Sequence, residues 1–358
     1  MVFDYRPSLN RRSSGTIAAG LRSGISSDAI AAFVRWWQIE TWLRMLVHLE
    51  LSAKYGRHWP AALGRKFHTT AQRNAANAYM LSPDDDDLLS YGDVAELFKI
   101  IEDDQYWPLF EKSLVPKVRW IGCADELRAI RNRIAHCRRP HLDDLDRLEQ
   151  VLRNLEPGAK TTLQYYDQTI DPPLSDVIAQ EWLGEEPPWA HIRNHARGRY
   201  HTNFAMWHSK RPWAEVTGSL TGTPGVLIHA QWSIQDGFVY PDIVWSDLKD
   251  QGFDPALIIH YVQDVDSRVK LVFSAVDDPN TVAHAIENAF QAIIGNIERF
   301  DDNDNYMGWS SNADLLDPRC HIDDVVAHSD RLQLFSVFNA GTPPRNVARK
   351  RTRRRALG

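Results

Sequence analysis

Between Asp125 and Arg139 the chain reads Asp-Glu-Leu-Arg-Ala-Ile-Arg-Asn-Arg-Ile-Ala-His-Cys-Arg-Arg, with Arg128, Arg131, Arg133, Arg138 and Arg139 grouped around one imidazole, His136. Guanidinium groups pair with phosphate through charge-assisted, often bidentate hydrogen bonds. An imidazole, with an ordinary pKa near ~6.5, takes up or gives back a proton close to neutral pH. Together they permit proton transfer on a phosphate-bearing substrate. An exposed basic helix end, its cations favoured by the C-terminal dipole, has the same composition. Spacing alone leaves both readings open.

The element that must carry these groups is a helix. Pro116 suits its first turn, it runs to about His136, and Pro140 marks the break beyond it. At about 100° per residue, Trp120, Cys123, Leu127, Ile130 and Ile134 share one sector and must face a core. Asp125, Asn132 and His136 fall opposite, with Asn132 and His136 stacked four residues apart. Arg131 lies at the edge of the apolar sector, where a partly desolvated guanidinium needs an anionic or carbonyl partner. Residues five apart diverge by roughly 140°, so Arg131 and His136 converge only if the helix end distorts or a second copy contributes.

Around this helix the sequence predicts others. Ser26-Ser27-Asp28 offers N-cap chemistry for a helix of nearly 30 residues that Gly56 stops. A helix over 69–80 precedes a turn at Pro83 and Asp84–Asp87, and Ser90-Tyr91-Gly92-Asp93 opens another through Glu102. Leu142, Leu145, Leu148, Val151 and Leu152 form the stripe of the next. Residues 28–155 therefore read as an all-helical domain behind a flexible, Ser- and Gly-rich arm over 1–27. Pro157-Gly158, Pro172-Pro173 and Pro187-Pro188 punctuate a connector over 156–204, in which Ser175–Leu183 can form a short helix. Over 205–340 the period changes. Trp213–Leu220, Val226–Ile234, Phe238–Trp245, Leu257–Val262 and Val269–Val276 read as strands, with turns at Pro224-Gly225 and Asp236-Gly237, and Ala283–Ile297 as an amphipathic helix. The expected fold class is α+β: an all-α bundle, then an α+β domain with a mainly antiparallel sheet.

Composition narrows the function classes. In 358 residues there are three Cys, too few for a disulfide framework and consistent with a reducing, cytoplasmic setting. No apolar run approaches the ~18 residues of a membrane span. Seven basic residues and no acid lie between Arg345 and Gly358, so a net charge of −6 divides into +7 on a basic tail (341–358) and −13 on the rest. Such a tail is a solvated end or a nonspecific nucleic-acid anchor. Cys137 and His141 lack the spacing of a closed zinc site, and Asp301–Asn305 departs from a calcium loop in the place of Gly308 and the missing terminal Glu. No Gly-rich phosphate loop, His-Glu-x-x-His or Gly-x-Ser-x-Gly occurs. No cofactor is expected. Trp36, Trp37, Trp42, Trp107 and Trp120 sit on or beside apolar helical faces, whereas Trp207, Trp213, Trp232, Trp245 and Trp309 fit an aromatic sheet core or a pocket equally well.

Arg131-Asn132-Arg133-Ile134-Ala135-His136 resembles the Arg-x4-6-His motif of the HEPN superfamily, with the Arg-Asn start typical of its ribonuclease members. It is the one pair with that spacing in the chain; Arg44/His48 and Arg197/His201 are each a residue short. Thr41–Val47 with Tyr55-Gly56 and Trp59, then Leu89–Asp93 and Trp107–Phe110, resemble the early and middle helices of Swt1-like HEPN domains, over 28–155 only. The resemblance implies a metal-independent endoribonuclease, a toxin or anti-phage effector. Its substrate 2′-OH attacks the adjacent phosphate and leaves a 2′,3′-cyclic phosphate. His136 would be the acid or base, Arg131 would stabilise the phosphorane and Asn132 would orient the imidazole or hold phosphate. Arg128, Arg133, Arg138 and Arg139 would bind substrate. It also implies a homodimer with facing motifs and RNA, tRNA included, as partner, while an antitoxin or trigger would act on the C-terminal domain. Members that are adenylylated carry a Tyr two residues after the His; here Arg138 stands there. The competing reading is a non-catalytic HEPN module that holds RNA or protein under control of the C-terminal domain.

Overall fold

The computed structural model describes residues 11–76, 88–173, 175–185, 188–235, 237–263, 268–299 and 320–322. The Asp84–Asp87 turn, Asp236, the Asp301–Asn305 segment with Trp309 and the basic tail lie outside the described residues. Among the described residues no helix is long and apolar enough to cross a membrane.

Helix α1 (Arg11–Arg22) occupies part of the segment whose composition predicts a flexible arm. Ala18, Ala19 and Leu21 favour helix. The chain leaves it through Gly24 at φ 97°, with the Ile25 amide bonded back to the Gly20 carbonyl at 3.1 Å. Helix α2 (Ser27–Tyr55) follows the expected limits: Ser26 accepts from the Ala29 amide at 3.1 Å, and Gly56, at φ 58°, returns its N–H to Ser52. Then come α3 (Arg65–Ala75), α4 (Val94–Glu102), α5 (Trp107–Phe110), α6 (Lys117–Ala135) and α7 (Asp144–Tyr166). Asp93 caps α4 by accepting from the Glu96 amide. Trp36, Ile39, Leu43, Leu46 and Val47 of α2 are buried in one core with Leu97 and Phe98 of α4, Trp120 and Leu127 of α6, and Leu148, Val151 and Leu155 of α7. At roughly 1.5–3 kcal/mol per large apolar side chain buried, that row fixes how α2 is rotated.

Helix α7 does not stop at Pro157-Gly158, as the sequence predicts, but continues to Tyr166. A Cβ on Gly158 would overlap the Ser113 carbonyl, so the glycine permits a close approach there. Thr162 Oγ1 then bonds Ser113 Oγ at 2.7 Å. Tertiary contact thus carries the helix past a residue that costs it one hydrogen bond. The expected connector is otherwise mostly helical, holding α8 (Val177–Leu183) and α9 (Trp189–Tyr200).

The fold class is α+β. Strands β1 (Thr202–Lys210), β2 (Val226–Ile234), β4 (Ile258–Gln263), β5 (Arg268–Ser274) and β7 (Cys320–Ile322) form one sheet in the order β1-β2-β5-β4-β7, antiparallel except where β7 joins β4. A separate pair joins β3 (Gly237–Phe238) to β6 (Glu298–Arg299). Two expected strands do not form. Trp213–Leu220 makes turns, and Phe238–Trp245 divides between β3 and helix α10 (Pro241–Asp250), whose first turn Pro241 favours. Helix α11 (Pro279–Gly295) matches the expected amphipathic helix. One sheet face, with Ile228, Ala230, Trp232, Leu271 and Phe273, shares a core with Trp182 of α8 and Ile286, Phe290 and Ile293 of α11. The other, with Leu227, Ile259, Val262 and Val272, packs on Leu49 and Ala53 of α2 and Tyr166 of α7.

Polar groups fasten that second face. Arg211 and Glu50 are both buried, joined from Nη2 to Oε1 at 2.6 Å and from Nε to both carboxylate oxygens at 3.1–3.2 Å. Arg211 Nη1 also donates to the Thr162 carbonyl at 3.3 Å, and Trp213 Nε1 to Glu50 at 2.7 Å. Beside them Ser209 Oγ and His229 Nε2 are 2.7 Å apart, and Tyr166 Oη lies 3.0 Å from His260 Nδ1. At the edge, Asp277 accepts the Arg57 amide at 2.9 Å, in space that a side chain on Gly56 would fill.

Arg211→Met leaves the Glu50 charge buried and should cost about 3–5 kcal/mol in denaturant unfolding, with Glu50→Gln/Arg211→Met recovering most of it. A loss below about 1 kcal/mol, the scale of an exposed pair, would refute that role. Burial, aided by the charges of Lys270 and Arg211, holds the His229 imidazole well below its usual pKa; burial also lowers His208, against the pull of Asp176. The unfolded chain binds these protons near ~6.5, so the stability they contribute is complete above that pH and is lost as pH falls toward the folded-state values. Unfolding midpoints measured from pH 7.5 to 5.5 should therefore fall, and fall less in His229→Gln; equal slopes would count against the assignment.

Candidate functional site

Helix α6 turns the faces the sequence predicts. Trp120, Cys123, Leu127 and Ile130 are buried and Ile134 partly so, while Asp125, Asn132 and His136 are exposed. Arg131 is half-buried at the boundary, its Nη1 3.5 Å from Asn132 Oδ1.

The helix ends at the imidazole. His136 is the C-cap residue, at φ −97° and ψ 15°. Cys137 follows in the left-handed region at φ 51°, and two reverse bonds close the end: Cys137 N to the Ile134 carbonyl at 3.1 Å and Arg138 N to the Arg133 carbonyl at 2.9 Å. This is the two-bond helix stop that usually has glycine at the left-handed position, built here on a cysteine. The chain thus reverses directly after His136, downstream of both Arg131 and the imidazole. Arg131 and His136 form no hydrogen bond with each other among the described residues.

Neighbouring helices take up two of the five arginines. Arg128 Nη2 lies 2.7 and 2.9 Å from the two oxygens of Glu102 at the end of α4, its Nη1 lies 2.7 Å from Asp125, and its guanidinium covers the Phe98 ring. Arg133 grips Asp144, the first residue of α7, through Nε at 2.8 Å and through Nη2. Both of these cations, expected to bind substrate, are therefore already matched by carboxylates. His136, Arg138 and Arg139 are exposed and have no side-chain partner among the described residues.

Asp144 is the site residue that sequence reasoning missed. Burial alone would raise its carboxyl, but hydrogen bonds from Arg133 and from the His141 amide, with their charges, outweigh burial and hold it below the usual range. The segment from His136 to Asp143 is therefore pinned at one end by the helix stop and at the other by this clamp. Its signal in sequence is an acid in the first turn of a helix, where the dipole favours it. The near-motif Arg44/His48 has other work. Arg44 donates to the Leu89 and Gly92 carbonyls and pairs with Glu40, while His48 Nε2 lies 3.1 Å from the Ile259 carbonyl, across to the sheet. Among the described residues no three His, Cys, Asp or Glu side chains are grouped to hold a metal ion.

Asp144→Asn should lower stability by about 1.5–3 kcal/mol at pH 7, the scale of a charge-assisted hydrogen bond. Because the native carboxyl is depressed, that contribution is present above the unfolded pKa and is lost as pH falls through the folded one. Wild type and variant should therefore converge toward pH 3, and amide exchange across 136–143 should quicken in the variant at pH 7. A constant gap between them across that range would exclude the clamp.

Comparison with known proteins agrees with the helical part. No curated protein and no solved structure matches the chain. A family model does, over less than half of the length, from the middle of α2 to the middle of α7. Residues 38–156, which carry Arg131 and His136, match the Swt1-like HEPN family, whose domains point to a ribonuclease-like or RNA-binding module.

Proposed function

We propose that the chain is a metal-independent endoribonuclease, acting as a toxin or anti-phage effector, with its site at the α6–α7 turn. The observation that carries the reading is the exposed, unpartnered imidazole of His136 beside Arg138 and Arg139, cations that no carboxylate neutralises among the described residues. His136 takes the proton of the substrate 2′-OH, or returns one to the leaving 5′-oxygen. Arg131 stabilises charge that builds on the phosphorane oxygens, and Asn132, bonded to Arg131, orients the imidazole or the phosphate. Arg138 and Arg139 hold the flanking backbone. The products are a 2′,3′-cyclic phosphate and a free 5′-OH. DNA lacks the nucleophile and is left intact.

One imidazole cannot be base and acid in the same step. A homodimer that brings two copies of the α6–α7 turn across a two-fold axis supplies the second imidazole, and its interface is isologous. The C-terminal domain, fastened to α2 and α7, restrains the site, senses a trigger or selects RNA.

The test is incubation of purified protein with total RNA and a defined tRNA in the presence of chelator, followed by analysis of the cut ends. Cleavage should persist, should leave cyclic phosphate, and should fall about 10²–10⁴-fold in His136→Ala and about 10²–10³-fold in Arg131→Ala. Unchanged cleavage in His136→Ala would remove the site. RNA binding without cleavage would leave the non-catalytic module.

A further inference from the structure

We propose that α9 is a second RNA-binding surface, one that grips the sugar-phosphate backbone away from the α6–α7 turn; this rests on the reading of the chain as an RNA-directed protein. From Trp189 to His201 the sequence is Trp-Ala-His-Ile-Arg-Asn-His-Ala-Arg-Gly-Arg-Tyr-His, and no acid occurs between Pro188 and Ala214. The rest of the chain before the tail is strongly acidic, so this stretch departs from its surroundings.

The structure sorts its residues by face. Ala190 and Ala196 are buried, and Tyr200 is half-buried. Arg193 is consumed locally, since Nη2 donates to the Gly184 carbonyl that ends α8. Exposed to solvent are His191, Asn194, His195, Arg197, Gly198 and Arg199. At about 100° per residue, His191, Asn194, His195 and Gly198 make a central strip, with Arg197 on one flank and Arg199 on the other. A Cβ on Gly198 would meet nothing within 4 Å, so the strip is low between two cations. Arg199 lies over the Tyr200 ring, 5.5 Å from its centroid, and His195 meets the same ring edge-on. Neither Arg197 nor Arg199 has a carboxylate partner among the described residues.

Two cations in the last turn complement the helix dipole, which accounts for their tolerance there. It does not account for a strip of imidazole, amide and bare backbone between them, in a stretch of sequence that holds no acid. A polyanion's backbone fits that strip: phosphates on the flanking guanidiniums, with donors from Asn194 and the imidazoles between. The fold gives α9 one buried face, toward α8, α11 and β1, and leaves this one open.

Binding alone tests this, apart from catalysis. The full chain carrying His136→Ala is titrated with a fluorescent RNA hairpin across a salt series, with and without Arg197→Ala/Arg199→Ala. The double variant should bind about tenfold more weakly near ~0.15 M salt, and the slope of log affinity against log salt should fall by about two, one for each phosphate no longer neutralised. Arg197→Lys/Arg199→Lys, which keeps the charges, should restore the slope. Equal affinity and slope in wild type and the alanine variant, or no binding of RNA by either, would overturn the proposal. A changed slope in a chain that never cleaves RNA would support it while removing the catalytic reading, so the two can fail separately.

Discussion

The ion pair between Glu50 and Arg211 is the constraint on which the arrangement of the two halves depends. Taking both charges out of water costs several kcal/mol per ion, and only complete hydrogen bonding offsets that. Here Arg211 gives donors to the Glu50 carboxylate and to the Thr162 carbonyl, while Trp213 satisfies the remaining side of Glu50. Those groups come from α2, α7 and the segment after β1. The pair is therefore stable only when all three segments are in register, which makes it a condition on the junction more than a source of net stability. Helix α7 inherits the consequence. It is tied to the sheet at Thr162 and Tyr166, and to α6 at Asp144, so its length of roughly 35 Å connects the junction to the turn that carries His136. A shift of the sheet against α2 has no flexible segment along α7 in which to dissipate.

Whatever local chemistry decides is legible in the sequence. The caps at Ser26 and Gly56, the buried sector of α6 and its end at His136 follow from residues within a turn or two of each other, and they appear as expected. Distant partners settle the rest. Pro157-Gly158 is a break in any local account, yet Gly158 is the residue that lets α7 approach Ser113 and continue. Trp213 sits among residues of strand character, but its indole N–H is held by Glu50, 163 residues away in sequence. Strand β1 escapes a hydropathy pattern because both of its faces bury polar groups, His208 on one and Ser209 on the other.

The same distinction governs the charges. Five arginines near one imidazole are equivalent in sequence, and only the placement of acids on α4 and α7 tells them apart. Glu102 and Asp144 neutralise the two arginines whose side chains turn back toward the bundle, and leave the two beyond the helix stop to solvent. Counting cations therefore overestimates the binding set. The cations that face a neighbouring helix end hold the scaffold; those past the end can serve a ligand.

The imidazole stands at a helix C-terminus, and that sets the field in which it works. Helix N-termini bind phosphate with free backbone N–H groups and a favourable dipole. A C-terminus offers carbonyls and a partial negative charge, so it repels an anion and stabilises a cation. On the proposed function, an anion at the α6–α7 turn is held by side chains against that field, and an acidic replacement among the exposed guanidiniums there would weaken its binding. A phosphate approaching that end is therefore held by guanidiniums rather than by the helix itself. In the proposed reaction the cations beyond the helix stop hold the phosphate on which the imidazole acts.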